Sequence, residues 1–166
     1  MKKGYLANGL FNESDRMYNH YLARNIRHTL NDDVDLYVPQ ENAEVNDKSL
    51  YANSMAIEKA DTTKLLESDF LVAVIDGQDI DSGVSAEIGI FSTTNKPIFA
   101  LYTDVRQQGR DNKSKIQALI DDGVENQFMY RNLYVIGLIK RVAEEHGGGI
   151  YSSSNDLLGA IKDFYC

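Results

Sequence analysis

A chain of 166 residues, 43% hydrophobic and 25% charged, suits one domain spanning 1–166 that buries roughly 70% of its unfolded surface, which excludes a disordered chain. The net charge of −8, with Lys and Arg scattered, excludes a nucleic-acid polymer as the expected partner and disfavours a dianionic phosphate ligand. No apolar run approaches the ~20 residues of a membrane span, the amino end lacks the apolar length of a signal peptide, and the single Cys166 allows no intrachain disulfide; the expected setting is cytoplasmic.

Residues 4–7 read as a short first strand. Residues 12–30 follow as a helix capped by Asn12 or Ser14, with Met17, Tyr21, Leu22, Ile26 and Leu30 on one face. The alternating run 34–38 predicts a second strand that stops at Pro39, then a polar loop over 40–47 and a helix over 49–66. Residues 70–75 are continuously apolar and β-rich, the pattern of a central parallel strand covered on both faces. After a loop over 76–83 come a helix over 84–94 and a buried strand over 97–102. A polar loop over 104–113 leads to a helical stretch around 116–120. A helix over 133–145 is closed by Gly147, Gly148 and Gly149, and a last helix covers 155–164. Strands alternating with helices predict an α/β fold, a flavodoxin-like three-layer α/β/α sandwich with a central, mostly parallel five-stranded sheet and right-handed crossovers.

Ligands of such sheets bind beyond the carboxyl ends of the strands. That rule selects Asn8 and Gly9 after the first strand, the 39–42 stretch after the second, and the acidic loop after the third, where Asp76, Asp79, Asp81 and Glu87 fall within twelve residues. A cap at Ser82 or Ser85 puts Glu87 in the first helical turn or just beyond, where the helix dipole and free amides keep a carboxylate ionised for attack. Gly83 and Gly89 permit close approach of ligand or backbone. A carboxylate nucleophile suits an anomeric carbon, and Asp81 or Asp61 would protonate or hydrogen-bond the departing base. The same acidic residues also suit a loop that merely favours its helix, and Asp61 within Ala60-Asp61-Thr62-Thr63 also suits a solvated helical position.

At these residues the chain resembles the nucleoside 2-deoxyribosyltransferase family. Tyr5-Leu-Ala-Asn-Gly9-Leu-Phe11 is similar to the family's first strand and turn, Tyr37-Val-Pro39 to the end of its second strand, and Asp61 to its base-facing helical aspartate. Asp81 through Gly89 resembles the D-x-G-x-x-x-E-[LI]-G signature, and Asn132-Leu133-Tyr134 a stretch whose asparagine reaches a neighbouring subunit's site to hold the sugar 5′-hydroxyl. The resemblance implies transfer of the 2-deoxyribosyl group between nucleobases, through a covalent intermediate on Glu87 and with retention. It implies catalytic roles for Glu87, Asp81, Asp61 and Tyr5, and substrate contacts at Asn8, Gly9, Phe11, Gln40, Gly83, Asn132 and Tyr134. It also implies no cofactor or metal, a deoxynucleoside donor with a free nucleobase acceptor, and a homo-oligomer, a hexamer built as a trimer of dimers with shared sites. Two positions depart from the pattern. Where some members place a base-contacting glutamine this chain is near Ala43, with Gln40 the closest glutamine, and Cys166 follows the tyrosine on which some members end.

His20, His28 and His146 are spaced as structural or surface histidines and not as a metal set. Asn132 also suits a plain helix cap, and Tyr5 a plain core tyrosine. Two other functions compete. Hydrolysis of deoxynucleosides or their monophosphates uses the same fold and glutamate, but the monophosphate enzymes carry a Gly-Ser-Ile-Arg-Gly type turn after the first strand, and this chain has Ala7-Asn8-Gly9-Leu10-Phe11. A non-catalytic sensor or phospho-acceptor module would need, for the latter, an acidic pair after the first strand, where Ala7 and Asn8 stand.

Overall fold

The chain's computed structural model describes residues 1–47, 49 and 51–166. Five strands form one all-parallel sheet in the order β2-β1-β3-β4-β5, with β1 Lys2–Ala7, β2 Val34–Tyr37, β3 Phe70–Val74, β4 Ile98–Leu101 and β5 Gly148–Tyr151. Among the described residues seven helices connect and cover them: α1 Glu13–Thr29, α2 Ala43–Asn46, α3 Ser54–Glu67, α4 Ser82–Phe91, α5 Lys113–Asp121, α6 Leu133–His146 and α7 Ser154–Tyr165. Among the described residues no helix is long and apolar enough to cross a membrane.

The period-2 pleat sorts the strand residues onto two faces. Leu6, Phe70, Val72 and Val74 pack with Leu22 and Ile26 of α1 and with Leu157 and Ile161 of α7. Tyr5, Ala7, Leu71 and Ala73 point the other way, onto Leu65 of α3, Val84 and Ile88 of α4, and Ile139 of α6. Each fully buried aliphatic side chain contributes about 1.5–3 kcal/mol, so the two layers clamp the sheet from both sides. The chain runs outward from β1 to β2 and then crosses back to β3. This puts a topological switch point between β1 and β3, where a crevice opens at the strands' carboxyl ends.

Several expectations need correction. The residues 147–149 do not all close a helix: Gly147 ends α6 by donating to the Ala143 carbonyl, and Gly148 opens β5, in register with Ile98. Gly148 has φ +90°, and a Cβ there would run into the Ile98 carbonyl oxygen, so glycine is what lets this edge strand approach β4. The inward stripe of α1 is Asn19, Leu22, Ala23 and Ile26, spaced i, i+3, i+4, i+7, while Met17 is 67% exposed and Tyr21 lies outside the stripe. The 40–47 loop contains a 3-10 turn, Pro39–Glu41, and the single-turn α2. Within the helix expected over 49–66 the described helix starts at Ser54, and Leu50 lies outside the described residues.

Candidate active site

Tyr5 on β1 and Tyr37 on β2 are register partners, so both rings lie on the face covered by α3 and α4, 5.3 Å apart between centroids. Each phenol donates to a carboxyl group brought in by one of those helices. The Tyr5 hydroxyl donates to Glu87 Oε1 of α4 at 2.5 Å, and the Tyr37 hydroxyl donates to Asp61 Oδ1 of α3 at 2.8 Å. Asn42 Nδ2 in turn donates to the Tyr37 oxygen at 2.9 Å, which fixes the direction in which Tyr37 donates.

These carboxyl groups line a cavity of about 170 Å³ at the switch point. Asn8, Gly9, Leu10 and Phe11 wall it from the β1–α1 turn, and Pro39, Val45 and Asn46 from the segment after β2. Ile57 and Asp61 of α3 and Gly83, Val84 and Glu87 of α4 complete it, with Asp81 at the mouth of α4. The lining is mixed: apolar walls suit a flat base, and carboxylates converge where polar atoms of a ligand would be read.

Burial pushes the Glu87 carboxyl up to about 7, the neighbouring Asp61 and Asp81 charges adding to the rise and the Tyr5 hydrogen bond opposing it. Burial likewise raises Asp61, against the pull of the Tyr37 hydrogen bond. Tyr37 is pushed up to about 12, chiefly by burial, and burial plus the Glu87 charge drive Tyr5 far above the usual phenol range. Both phenols therefore remain hydrogen-bond donors at any working pH. Asp81 caps α4, its Oδ1 accepting from the Gly83 amide at 2.8 Å and the Val84 amide at 3.1 Å. Ser82 and Ser85 do not cap the helix, so Glu87 falls in the second turn, away from the free amides. Its surroundings raise its pKa where the helix dipole was expected to hold it low.

Of the residues singled out in the sequence, Glu87, Asp61, Asp81, Asn8, Gly9, Phe11 and Gly83 meet at this cavity, and Tyr5 lies beneath it on Glu87. Gln40 is outside the lining: its Oε1 accepts from Asn19 and its Nε2 donates to the Arg16 carbonyl. Asn132 caps α6 through the Tyr134 and Val135 amides and borders a separate crevice with Asp79, Ser85 and Arg131, while Tyr134 is 77% exposed. The sequence marks Tyr37 only as the end of the second strand and Asn42 only within the 39–42 stretch, and it gives neither their hydrogen bonds nor any role to Asn19. Asn19 carried a visible signal, a polar side chain in the apolar stripe of α1. The role of Tyr37 depends on a strand pairing that only the sheet supplies.

Over 99% of both chains the protein is 49% identical to a conserved protein from Enterococcus faecalis V583, with a TM-score of 0.89. A 2-desoxiribosyltransferase from Leishmania mexicana shares the fold at 18% identity and a TM-score of 0.63, covering 100% of each chain. A 2-deoxyribosyltransferase from Bacillus psychrosaccharolyticus does so at 18% identity and a TM-score of 0.62, covering 94% of this chain and 90% of its own. Among curated proteins none matches. The sequence model described as Nucleoside 2-deoxyribosyltransferase matches residues 5–133, and the chain belongs to that family.

Proposed function

We propose that the protein transfers the 2-deoxyribosyl group from a 2′-deoxynucleoside to a free nucleobase, with Glu87 as nucleophile. The observation that carries this reading is the Glu87 carboxyl, set in a cavity at the switch point and oriented by the 2.5 Å hydrogen bond from Tyr5. That bond occupies Oε1 and leaves Oε2 to attack. Ionised Glu87 forms a C1′–O bond as the C1′–N bond breaks, and the electron pair leaves on the base nitrogen. Asp61, raised by burial and facing the same cavity, supplies the proton that the departing base needs. An incoming base then attacks C1′, the ester bond breaks, and Asp61 takes back a proton. Two inversions give net retention. Asp81, whose Oδ1 is committed to helix amides, anchors the start of α4 and bears on Glu87 through its charge.

Incubation of deoxyinosine with adenine tests this directly. Deoxyadenosine and hypoxanthine are expected, together with a deoxyribosyl mass gain on the Glu87 peptide after acid quenching. Glu87→Ala should show neither. Free deoxyribose accumulating equally with and without adenine, and no deoxyadenosine, would make the protein a hydrolase instead.

Asn132 enters this reading through assembly: exposed at the start of α6, it would hold the sugar 5′-hydroxyl in the cavity of a second copy. Light scattering on active protein tests the point, and an active monomer removes Asn132 from the site.

A further inference from the structure

Asn19 is a polar side chain only 2% exposed, within the apolar stripe that α1 presents to the sheet. Burying an amide there is unfavourable unless every polar atom is matched. The matching is complete. Asn19 Nδ2 donates to the Gly9 carbonyl at 3.0 Å and to Gln40 Oε1 at 2.9 Å, and Asn19 Oδ1 accepts from Asn8 Nδ2 at 2.8 Å. Gln40 Nε2 donates to the Arg16 carbonyl at 3.1 Å.

The direction of this chain is not arbitrary, because both of its outer anchors are backbone carbonyls and can only accept. The Arg16 carbonyl forces Gln40 to turn its NH₂ outward and its oxygen toward Asn19. The Gly9 carbonyl forces the Asn19 NH₂ to that side, which leaves the Asn19 oxygen for Asn8. Asn8 must then offer its NH₂ inward, so its remaining polar atom, Oδ1, is an acceptor. Asn8 lines both the catalytic cavity and an adjoining cleft, of about 370 Å³, that also holds Asp15, Asp76 and Asp79. Among the described residues Asn8 Oδ1 accepts no hydrogen bond from the protein.

We infer that Asn8 is a specificity-determining residue whose carbonyl oxygen, polarised by Asn19, accepts a hydrogen bond from a free hydroxyl of the substrate's sugar. This rests on the glycosyl-transfer reading of the cavity and adds to it the group that reads the sugar. A hydroxyl donates to such an oxygen. A phosphate ester at the same place, mostly dianionic near neutral pH, is a poor donor, and the carboxylates of the adjoining cleft repel it.

The test compares kcat/KM for deoxyinosine with that for its 3′-deoxy and 5′-deoxy analogues, with adenine as acceptor. In the wild type the hydroxyl that Asn8 reads gives deoxyinosine the advantage over one analogue. Asn8→Ala should narrow that ratio about 3- to 10-fold, the contribution of a neutral hydrogen bond. Asn19→Leu should narrow the same ratio, and the double variant should narrow it no further, because the two act as one unit. Melting curves show which variants are folded, and either single variant suffices to read the ratio. If both donors of each pair slow equally in the variants, Asn8 has only a structural role and the inference is overturned while the transfer reading stands. If the wild type exchanges no base at all, both fall together.

Discussion

Tyr5 and Tyr37, partners across the β1–β2 ladder, each donate a hydrogen bond to a different carboxyl group, Glu87 and Asp61. One strand pair thus places both candidate reacting groups. The sheet supplies two rigid donors at neighbouring positions, and the covering helices α3 and α4 supply the two acids.

Tyr5→Phe removes the hydrogen bond that draws Glu87 downward, so the Glu87 pKa should rise above its value near 7. A loss of about 10- to 100-fold in kcat is expected, the range for a hydrogen bond to a charged group. The acidic limb of the kcat/KM profile should move to higher pH. An unmoved limb would show that Tyr5 does not set the ionisation of Glu87.

In the wild type, kcat/KM for deoxyinosine should climb with pH through about 7 as Glu87 ionises, and fall again at higher pH as Asp61 loses the proton it gives to the base. Across that climb stability runs the opposite way. The Glu87 pKa is about 7 in the folded protein against 4.5 for an unperturbed glutamate, so the folded state holds the extra proton between these values. The contribution of this group is therefore full below about 4.5 and is lost as pH rises to about 7. Glu87→Gln should melt above the wild type at pH 8, by on the order of a few degrees, with the gap closing by pH 5. A gap that does not change with pH would contradict the raised pKa.

Asp61→Asn should slow transfer from deoxyinosine about 100-fold, a typical contribution of a positioned general acid. The deficit should largely vanish with 7-methyl-2′-deoxyguanosine, whose base already carries positive charge and leaves without a proton. An equal deficit on both donors would assign Asp61 to base binding instead of proton transfer.

Gly148→Ala puts a side chain at φ +90° against the Ile98 carbonyl. Together the strained backbone and the collision should cost about 2 kcal/mol or more, lowering Tm by roughly 4–8 °C. The β4–β5 junction lies apart from the cavity, so base exchange at 25 °C should persist in the folded fraction.

Much of this architecture was open to a reader of the sequence. The apolar run at 70–75 and the alternation at 34–38 announce strands by the number of faces they bury. The loop after β3 stands out because four acidic residues follow the most apolar strand. The strand β5 was hidden, since three successive glycines in a chain read as a helix terminus, and only the close approach to Ile98 explains Gly148 as a strand opening. Met17 and Tyr21 suggest a different face of α1 by their apolar side chains, but the sheet, not hydropathy, decides which stripe it covers.

By itself the sequence determined most of the order of elements, the α/β plan and the acidic residues available for chemistry, because these follow from local periodicity and composition. Tertiary structure decided what those residues are. Glu87 lies beyond the reach of its helix amides and is made weakly acidic by burial and by Asp61, a residue far from it in the chain. Tyr37 becomes part of the site only through its register with Tyr5, and Asn8 acquires its polarity from two backbone carbonyls contacted through Asn19 and Gln40. Ionisation and hydrogen-bond direction depend on distances between segments, and those distances exist only once the sheet has assembled.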